Sequence, residues 1–292
     1  MALRAATRAS PLAVVQTRLV ASLLEAAASA GLEVLDVPVQ TTGDLRQDVS
    51  IAALGGQGVF VKEVQVAVLD GRADIAVHSA KDLPSTETPG LMIAAVARRG
   101  DPRDGLVGCS LAGLPPGGRV GTGSPRRRAQ LAALRPDLEF GELRGNMATR
   151  LAKASDFDAV VVAVCALERL DRQGELTEVL EPDVMLPQVG QGALAVECRT
   201  DDLHTRLLLA AIDHEPTRRA VEAERAFLAG VGGGCDRPVA AYATATDDGT
   251  VALEAMLADA TGAVHRDRDV GRDPAEVGEV LARRLLAATA MP

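Results

Sequence analysis

Short apolar runs alternate with helical segments along most of this chain, and this alternation limits the folds open to it. The clearest runs lie at 3–7, 33–39, 74–77 and 158–164. Helices are predicted to begin at Ser10-Pro11 and Ser124-Pro125, because serine is favoured at the N-cap and proline in the first turn. A further helix is predicted around 166–171. Strands that alternate with helices predict parallel α/β sheets.

The last part of the chain has a different pattern. Residues 239–245 and 250–257 flank Asp247-Asp248-Gly249, which is typical of a β-hairpin turn. Asp273-Pro274 is then predicted to begin an amphipathic helix. We therefore expect a smaller α+β domain at the C-terminus.

A length of 292 residues suggests two or three domains rather than one core. Turn-rich segments at 101–105 and 189–192 mark candidate boundaries. Together with the C-terminal pattern they predict three domains: 1–98 with 193–212 returning to it, 99–192, and 213–292. A return of the chain near 192 would give two crossing connections, as in hinged binding proteins.

Composition excludes several classes of function. The net charge is −9, and the chain has no Trp, one Tyr and four Phe, so neither a basic surface nor aromatic stacking platforms for nucleic acid are expected. The cores must be built from Ala, Val and Leu. No stretch approaches the roughly 20 apolar residues of a membrane span. The first segment contains arginines but no acidic residue before Glu25, as in a transit peptide; its helix pattern favours mature protein.

The four cysteines indicate neither a metal site nor a disulfide framework. They lie at 109, 165, 198 and 235, with no CxxC pair and no cluster of histidines. Free thiols in a reducing compartment, the cytoplasm, are expected, and no metal.

Three consecutive arginines occupy the first turn of the helix predicted at Ser124-Pro125. Arg126, Arg127 and Arg128 are unfavourable beside the positive end of the helix dipole unless an anion lies among them. A helix N-terminus with added arginines is suited to a carboxylate or phosphate. The alternative is a solvated basic face. The glycine-rich segments at 55–58 and 121–124 complete neither common nucleotide-binding motif, and 55–58 suits a flexible lid loop.

Further candidate residues follow the predicted strands. Arg144, Arg150 and Arg169 lie near strand ends, where α/β sheets bind ligands, although each alone is typical of a surface salt bridge. Residues 74–84 place Lys81 and Asp82 in a loop after a strand. These two could form a surface pair, or Asp82 could stabilise a developing cation.

The segment GGGC at 232–235 places a thiol on a loop of small residues. A lone cysteine is most often buried and structural, whereas an exposed one with a stabilised thiolate can form a covalent attachment. The residues alone leave both possibilities open for Cys235.

Taken in order, these segments resemble the porphobilinogen deaminase family, also called hydroxymethylbilane synthases. The matching motifs are TRASPLA at 7–13, DIAVHSAKDLP at 74–84, DPRD at 101–104, LRGNMATRL at 143–151, VGQGALAVECR at 189–199 and GGGC at 232–235. They extend over nearly the whole chain, and their joint occurrence is specific.

The resemblance implies a fold and a reaction. The fold is α/β with three domains: two domains similar to periplasmic binding proteins, joined by a hinge, and a smaller C-terminal α+β domain. The reaction condenses four porphobilinogen molecules into hydroxymethylbilane and releases ammonia at each addition. A dipyrromethane cofactor is attached through a thioether and primes the chain. The resemblance also implies a monomer with no nucleic acid or membrane as partner.

Individual residues inherit roles from the same resemblance. Cys235 matches the attachment cysteine, and Asp82 matches the catalytic carboxylate that stabilises the azafulvene-type cation left when ammonia departs. A lid loop corresponds to Gly55, Gly56, Gly58 and Phe60. The positions that bind acetate and propionate groups correspond to Arg8, Ser10, Lys81, Ser124, Arg126, Arg127, Arg144, Arg150 and Arg169.

The chain departs from the family pattern at a few positions. They are Thr42, Gln57, Gly123, Pro125, the pair Cys165-Ala166 and the pair Asp236-Arg237. None removes an expected catalytic group. The main rival hypothesis is a hinged small-molecule binding protein of the same architecture, which would need neither Cys235 on a glycine loop nor Asp82 beside Lys81.

Overall fold

The computed structural model describes residues 2–28, 31–41, 61–232 and 237–290. The chain forms two compact units, one of Met1–Arg99 with Ala193–Arg218 and one of Gly100–Gly192 with Arg219–Pro292. The boundaries 1–98 with 193–212, 99–192 and 213–292 stay a prediction.

The first unit contains a five-stranded mixed sheet. Its strands are β1 (Ala2–Arg8), β2 (Glu33–Val39), β3 (Ile75–Ser79), β4 (Leu91–Val96) and β10 (Leu194–Arg199), in the order β2-β1-β3-β10-β4. β1 pairs in parallel with both β2 and β3, whereas β10 runs antiparallel to β3 and β4. Its helices are α1 (Pro11–Ala27), α2 (Lys62–Leu69) and α6 (Leu203–Ala210), and α7 (Glu215–Gly230) begins here.

Helices cover both faces of this sheet. Leu3 and Ala5 of β1 lie in one core cluster with residues of α1, and Ala6 lies in another with residues of α2. Alternate side chains of a strand point to opposite faces, so a strand covered on both sides must be apolar at successive positions. This is why Ala5 and Ala6 are both apolar although they face opposite sides of the sheet.

The second unit contains a sheet of the same plan. Its strands are β5 (Asp104–Gly108), β6 (Arg119–Gly121), β7 (Glu139–Gly141), β8 (Ala159–Ala163) and β9 (Glu178–Leu180), in the order β7-β6-β8-β5-β9. β6 is parallel to β7 and β8, and β5 is antiparallel to β8 and β9. The helices are α3 (Pro125–Leu134), α4 (Met147–Ala152) and the short α5 (Val164–Glu168). Ala159 and Val161 of β8 face one core cluster and Val160 and Val162 the other.

A small α+β domain completes the chain. β11 (Val239–Ala245), β12 (Val251–Ala258) and β13 (Val264–Gly271) form an antiparallel sheet, followed by α8 (Pro274–Thr289). One face of the sheet packs against α7 and α8, with Phe227 fully buried among aliphatic side chains. The other face contributes Ala240 and Met256 to a cluster with Leu186 of the second unit's loop. These contacts join the domain to the second sheet within one unit.

Most of the predicted elements are confirmed. Strands form at 33–39 and over Ala159–Ala163, the hairpin forms from β11 and β12, and serine or aspartate caps three helices that begin with proline. The helix expected around 166–171 instead begins at Val164, directly after β8, and ends at Glu168. β13 was not predicted, because its exposed edge positions carry charged residues.

None of the helices in the described ranges is long and apolar enough to cross a membrane. Within the same ranges, no three His, Cys, Asp or Glu side chains are grouped as metal ligands would be.

Close approach of two helices in the C-terminal domain generates a stability prediction. A β-carbon on Gly278 of α8 would lie 2.5 Å from the carbonyl oxygen of Ala223 and 2.6 Å from the amide nitrogen of Phe227, both on α7. Gly278→Ala should therefore destabilise the protein by about 1–3 kcal/mol despite the better helix propensity of alanine. Urea unfolding followed by far-UV circular dichroism measures this, since the chain has no Trp.

Gly174→Ala is the matched control, because nothing lies within 4 Å of the β-carbon that it would add. We expect its unfolding midpoint to stay near that of the unsubstituted protein. Equal midpoints for the two variants would contradict the close packing of α7 on α8.

Candidate functional site at the carboxyl ends of the parallel strands

In each unit the first strand of the parallel set lies between its two parallel neighbours. β1 separates β2 from β3, and β6 separates β7 from β8. The connections that follow β1 and β3 therefore lead to opposite sides of the first sheet, as do those that follow β6 and β8 in the second, and a crevice forms at the carboxyl ends of such strands. Ligands of open α/β sheets bind at this position.

In the first unit, four predicted site residues follow β1 and β3. Arg8 ends β1, and Ser10 caps α1, accepting a hydrogen bond of 3.4 Å from the Ala13 amide. Lys81 and Asp82 lie in the single 3-10 turn Ala80–Asp82 that directly follows β3. Because β1 and β3 are hydrogen-bonded neighbours, these four residues lie at one edge of one sheet.

The 3-10 turn has a fixed position. The Ala80 amide donates to the carbonyl of Ala193 at 3.0 Å, and the Leu83 side chain is buried. Lys81 and Asp82 are each half-buried. Asp82 is thus held by backbone on both sides, with its carboxylate partly accessible.

In the second unit, the remaining basic residues follow β6, β7 and β8. Ser124 caps α3 after β6 and accepts a hydrogen bond of 3.4 Å from the Arg127 amide. Arg144 and Arg150 follow β7, and Arg169 follows β8 at the end of α5. The three strands are parallel neighbours, so their carboxyl ends share one edge.

The three residues after β7 and β8 differ in their contacts. Arg144 is about two-fifths exposed and lies 3.2 Å from the carboxylate of Glu142. The Nε atom of Arg150 donates to the carbonyl of Gly145 at 2.9 Å. Arg169 donates to the carbonyl of Gly192 at 2.6 Å.

Arg126 and Arg127 are buried and share one carboxylate. Arg126 donates to Oδ2 of Asp104 and Arg127 to Oδ1, each at 2.7 Å. Each guanidinium also donates to a backbone carbonyl, that of Leu186 at 2.6 Å and that of Val161 at 2.8 Å. Arg128 is outside this cluster: it lies near the carboxylate of Glu142 and over the ring of Phe140. The solvated-face alternative therefore describes Arg128 and does not describe its two neighbours.

Opposing effects set the pKa of Asp104. Burial acts to raise this pKa. The charges of the two guanidinium groups and the hydrogen bonds from Arg127 and Gln191 outweigh burial, and they hold the pKa well below its usual range. Burial lowers the pKa of Arg126, and Asp104 opposes that change. Two cations and one anion leave an excess of one positive charge in a buried site.

Several predicted residues lie outside the described residues. They are the attachment cysteine Cys235, the lid-loop residues Gly55, Gly56, Gly58 and Phe60, and the departures Thr42, Gln57 and Asp236. For Cys235 the structure gives only the described neighbours, Gly232 at the end of the turn after α7 and Arg237 before β11.

The sequence interpretation did not single out Asp104 and Gln191. Both are fully buried, and the Nε2 atom of Gln191 donates to Oδ1 of Asp104 at 2.9 Å. One signal for Asp104 was present: arginines at a helix N-terminus require an anion. Its position in the chain, 22 residues before Arg126, could not be inferred from that requirement.

The buried cluster predicts a large loss of stability on Asp104→Asn. Two guanidinium groups would lose their shared charge, and breaking a buried ion pair from one side costs about 3–5 kcal/mol. The depressed pKa means that this stability is present above about pH 3.9, the usual pKa of aspartate, and is lost as the pH falls through the folded-state pKa. The difference between the two proteins in urea should therefore be constant from pH 8 to pH 5.

Asp137→Asn provides the matched control. Asp137, like Asp104, accepts two hydrogen bonds from arginine, here both from Arg135. Its side chain is 40% exposed. The substitution should lower the free energy of unfolding by about 1 kcal/mol or less. A similar cost for the two substitutions at pH 7 would show that the Asp104 cluster is not a buried ion pair.

Comparisons with known proteins agree over nearly the full length. Residues 3–207 match the family model described as "Porphobilinogen deaminase, dipyromethane cofactor binding domain", and residues 218–287 match "Porphobilinogen deaminase, C-terminal domain". The porphobilinogen deaminase of Acidothermus cellulolyticus is 50% identical over 98% of this chain and 87% of its own length. That of Roseiflexus sp. is 47% identical over 96% and 94%.

Likeness to solved structures is weaker. A periplasmic substrate-binding protein of an ABC transporter from Coxiella burnetii is 16% identical and aligns over 76% of this chain and 94% of its own with a TM-score of 0.43. The fold class rests on the strand orders given above, which show two sheets of one plan and a separate C-terminal α+β domain. The two family models and the curated relatives show that this chain belongs to the porphobilinogen deaminase family.

Proposed function

We propose that this chain condenses four porphobilinogen molecules head to tail into hydroxymethylbilane, and that Asp82 and the basic residues at the strand ends form its site. The activity is that of the family, a transferase of tetrapyrrole biosynthesis that releases ammonia at each addition. The observation that carries the assignment of residues is the concentration of basic side chains at the carboxyl ends of the parallel strands in each unit.

The charge of the substrate explains that concentration. Each pyrrole unit brings two carboxylates, so a growing chain accumulates negative charge. A protein with a net charge of −9 can hold such a chain only where cations are gathered locally. We assign carboxylate binding to Arg8, Ser10, Lys81, Ser124, Arg126, Arg127, Arg144, Arg150 and Arg169.

The buried cluster fits a dipyrromethane, whose acetate and propionate groups are anionic. The Nε atoms of Arg126 and Arg127 are buried donors with no partner in the part of the chain that the structure describes. The cluster also has one positive charge in excess. A carboxylate would satisfy both features. Cys235 is proposed as the thioether attachment, and the bound dipyrromethane supplies the primer pyrrole from which the chain grows.

Asp82 is proposed as the catalytic carboxylate. When ammonia leaves porphobilinogen, positive charge develops on the pyrrole, and a fixed carboxylate nearby stabilises it. The same oxygens can accept a hydrogen bond from a pyrrole N–H. The 3-10 turn after β3 keeps this group in place between additions, so little reorganisation is needed in the transition state.

We also propose a domain organisation, an oligomeric state and a location. The chain has three domains, 1–98 with 193–212, 99–192 and 213–292, and it is a monomer in the cytoplasm. Support comes from the family resemblance and from Cys109, Cys165 and Cys198, which are free thiols.

The role of Asp82 predicts a specific loss of turnover. Asp82→Asn keeps the size of the side chain and removes its charge, so kcat should fall by about a hundredfold or more, while the urea unfolding midpoint and the affinity for porphobilinogen change little. Hydroxymethylbilane formation and ammonia release measure kcat.

Asp70→Asn is the control, since Asp70 is an exposed carboxylate of the same unit, 3.6 Å from Arg72. Its kcat should match that of the unsubstituted enzyme. Full turnover by Asp82→Asn would remove Asp82 from the mechanism. Binding of porphobilinogen without turnover by the unsubstituted protein would favour the small-molecule binding protein instead.

A further inference from the structure

The chain passes from one compact unit to the other between Arg99 and Gly100 and returns between Gly192 and Ala193. On the side of the second unit these two segments are bonded to each other. The Gly100 amide donates to the carbonyl of Gly192 at 3.2 Å. Gly192 has φ of +90°, and a β-carbon there would lie 2.6 Å from the carbonyl oxygen of Gly100. Glycine is therefore required for so close an approach.

Gln191 adds a side-chain connection at the same place. Its Nε2 atom donates to the carbonyl of Pro102 at 2.7 Å and to Oδ1 of Asp104 at 2.9 Å. Gln191 is fully buried, as is Asp104. One amide group of the returning segment thus holds both the backbone of the outgoing segment and the carboxylate that begins β5.

The same carboxylate orients Arg126 and Arg127. Oδ1 of Asp104 accepts hydrogen bonds from both Gln191 and Arg127, so the position of this oxygen is set by the two donors together. Arg126 is bonded to the other oxygen. A rotation of the carboxylate would therefore move both guanidinium groups.

A third arginine is bonded to the returning segment directly. Arg169 donates to the carbonyl of Gly192, the residue after Gln191. Three of the basic residues assigned to carboxylate binding are consequently held through Asp104 or through the segment that carries Gln191.

We infer that Gln191 is a positioning residue for the reaction, which acts through Asp104 to aim Arg126 and Arg127 at the carboxylates of the growing chain. This inference rests on the proposed function. A neutral amide suits the role because it donates to a carboxylate without adding charge to a cluster that already has excess positive charge. Gln191 itself is buried and bonded to Asp104, and the role needs no contact with substrate.

The test compares Gln191→Met with the unsubstituted holoenzyme. Methionine has a similar length and no hydrogen-bond donor, so Asp104 loses one hydrogen bond. Arg126 and Arg127 are then no longer held in one orientation. We expect KM for porphobilinogen to rise by roughly tenfold or more, the loss expected for one hydrogen bond to a charged group, with a smaller change in kcat. Gln191→Glu, which places an acceptor against Asp104, should raise KM further.

Gln65→Met is the matched control. Gln65 is a buried glutamine whose amide donates to a buried carboxylate other than Asp104, that of Glu197 in the first unit. This variant should lower the urea unfolding midpoint without raising KM. A merely structural role for Gln191 would give the same result in Gln191→Met, namely a lower midpoint with unchanged KM in the folded fraction.

A double-mutant cycle tests the route through Asp104. If Gln191 acts through that carboxylate, adding Gln191→Met to Asp104→Asn leaves KM as it is in Asp104→Asn alone. A KM of the double variant raised by the product of the two single effects would overturn the inference. An unchanged KM in Gln191→Met and Gln191→Glu would overturn it too. Should Asp104→Asn fail to fold, the two single variants still decide it. Absence of turnover in the unsubstituted enzyme would overturn the proposed function and this inference with it, whereas turnover with unchanged KM overturns this inference alone.

Discussion

The carboxylate of Asp104 is a negative charge in a fully buried position, where a lone ion would be strongly destabilising. Two guanidinium groups share it, and each also donates to a backbone carbonyl, so the first residue of β5 is joined to the first turn of α3, to β8 and to the loop at Leu186. The carboxylate also resolves the conflict between arginines and the positive end of a helix dipole. It neutralises only one of the two positive charges, and this remainder makes the cluster suited to an acidic ligand.

The two sheets place the proposed site residues by the same rule. In each, a central parallel strand lies between its partners, and the loops that follow these strands carry the basic side chains. The first unit adds Asp82 on a turn fixed by backbone bonds, whereas the second adds the buried arginines. In the proposed function, Asp82 shares its turn with Lys81, which binds carboxylates, and Arg126 and Arg127 bind carboxylates in the second unit.

Local patterns predicted much of this arrangement. The N-caps at Ser10, Ser124 and Asp273 depend on neighbouring residues only, and the run at 158–164 is apolar because both faces of β8 are covered. The sequence predicts an anion beside Arg126 and Arg127. The structure shows that one such anion is the protein's own Asp104 carboxylate. Asp104 and Gln191 were not recognised because their partners are distant in sequence, by 22 residues for Arg126 and 87 for the bond between the two. β13 was missed because its edge carries charged side chains that the hairpin pattern does not predict.

In the proposed function, an anionic pyrrole chain is tethered to Cys235 and held by these arginines. The intact mass of the purified protein reports this tether, with Cys235→Ser and, as a control thiol, Cys109→Ser measured beside it. The proposed function predicts a mass above that of the 292-residue chain by two linked pyrrole units in the unsubstituted protein and in Cys109→Ser, and no addition in Cys235→Ser. An unmodified mass in protein supplied with porphobilinogen, or an addition that persists in Cys235→Ser, would contradict it.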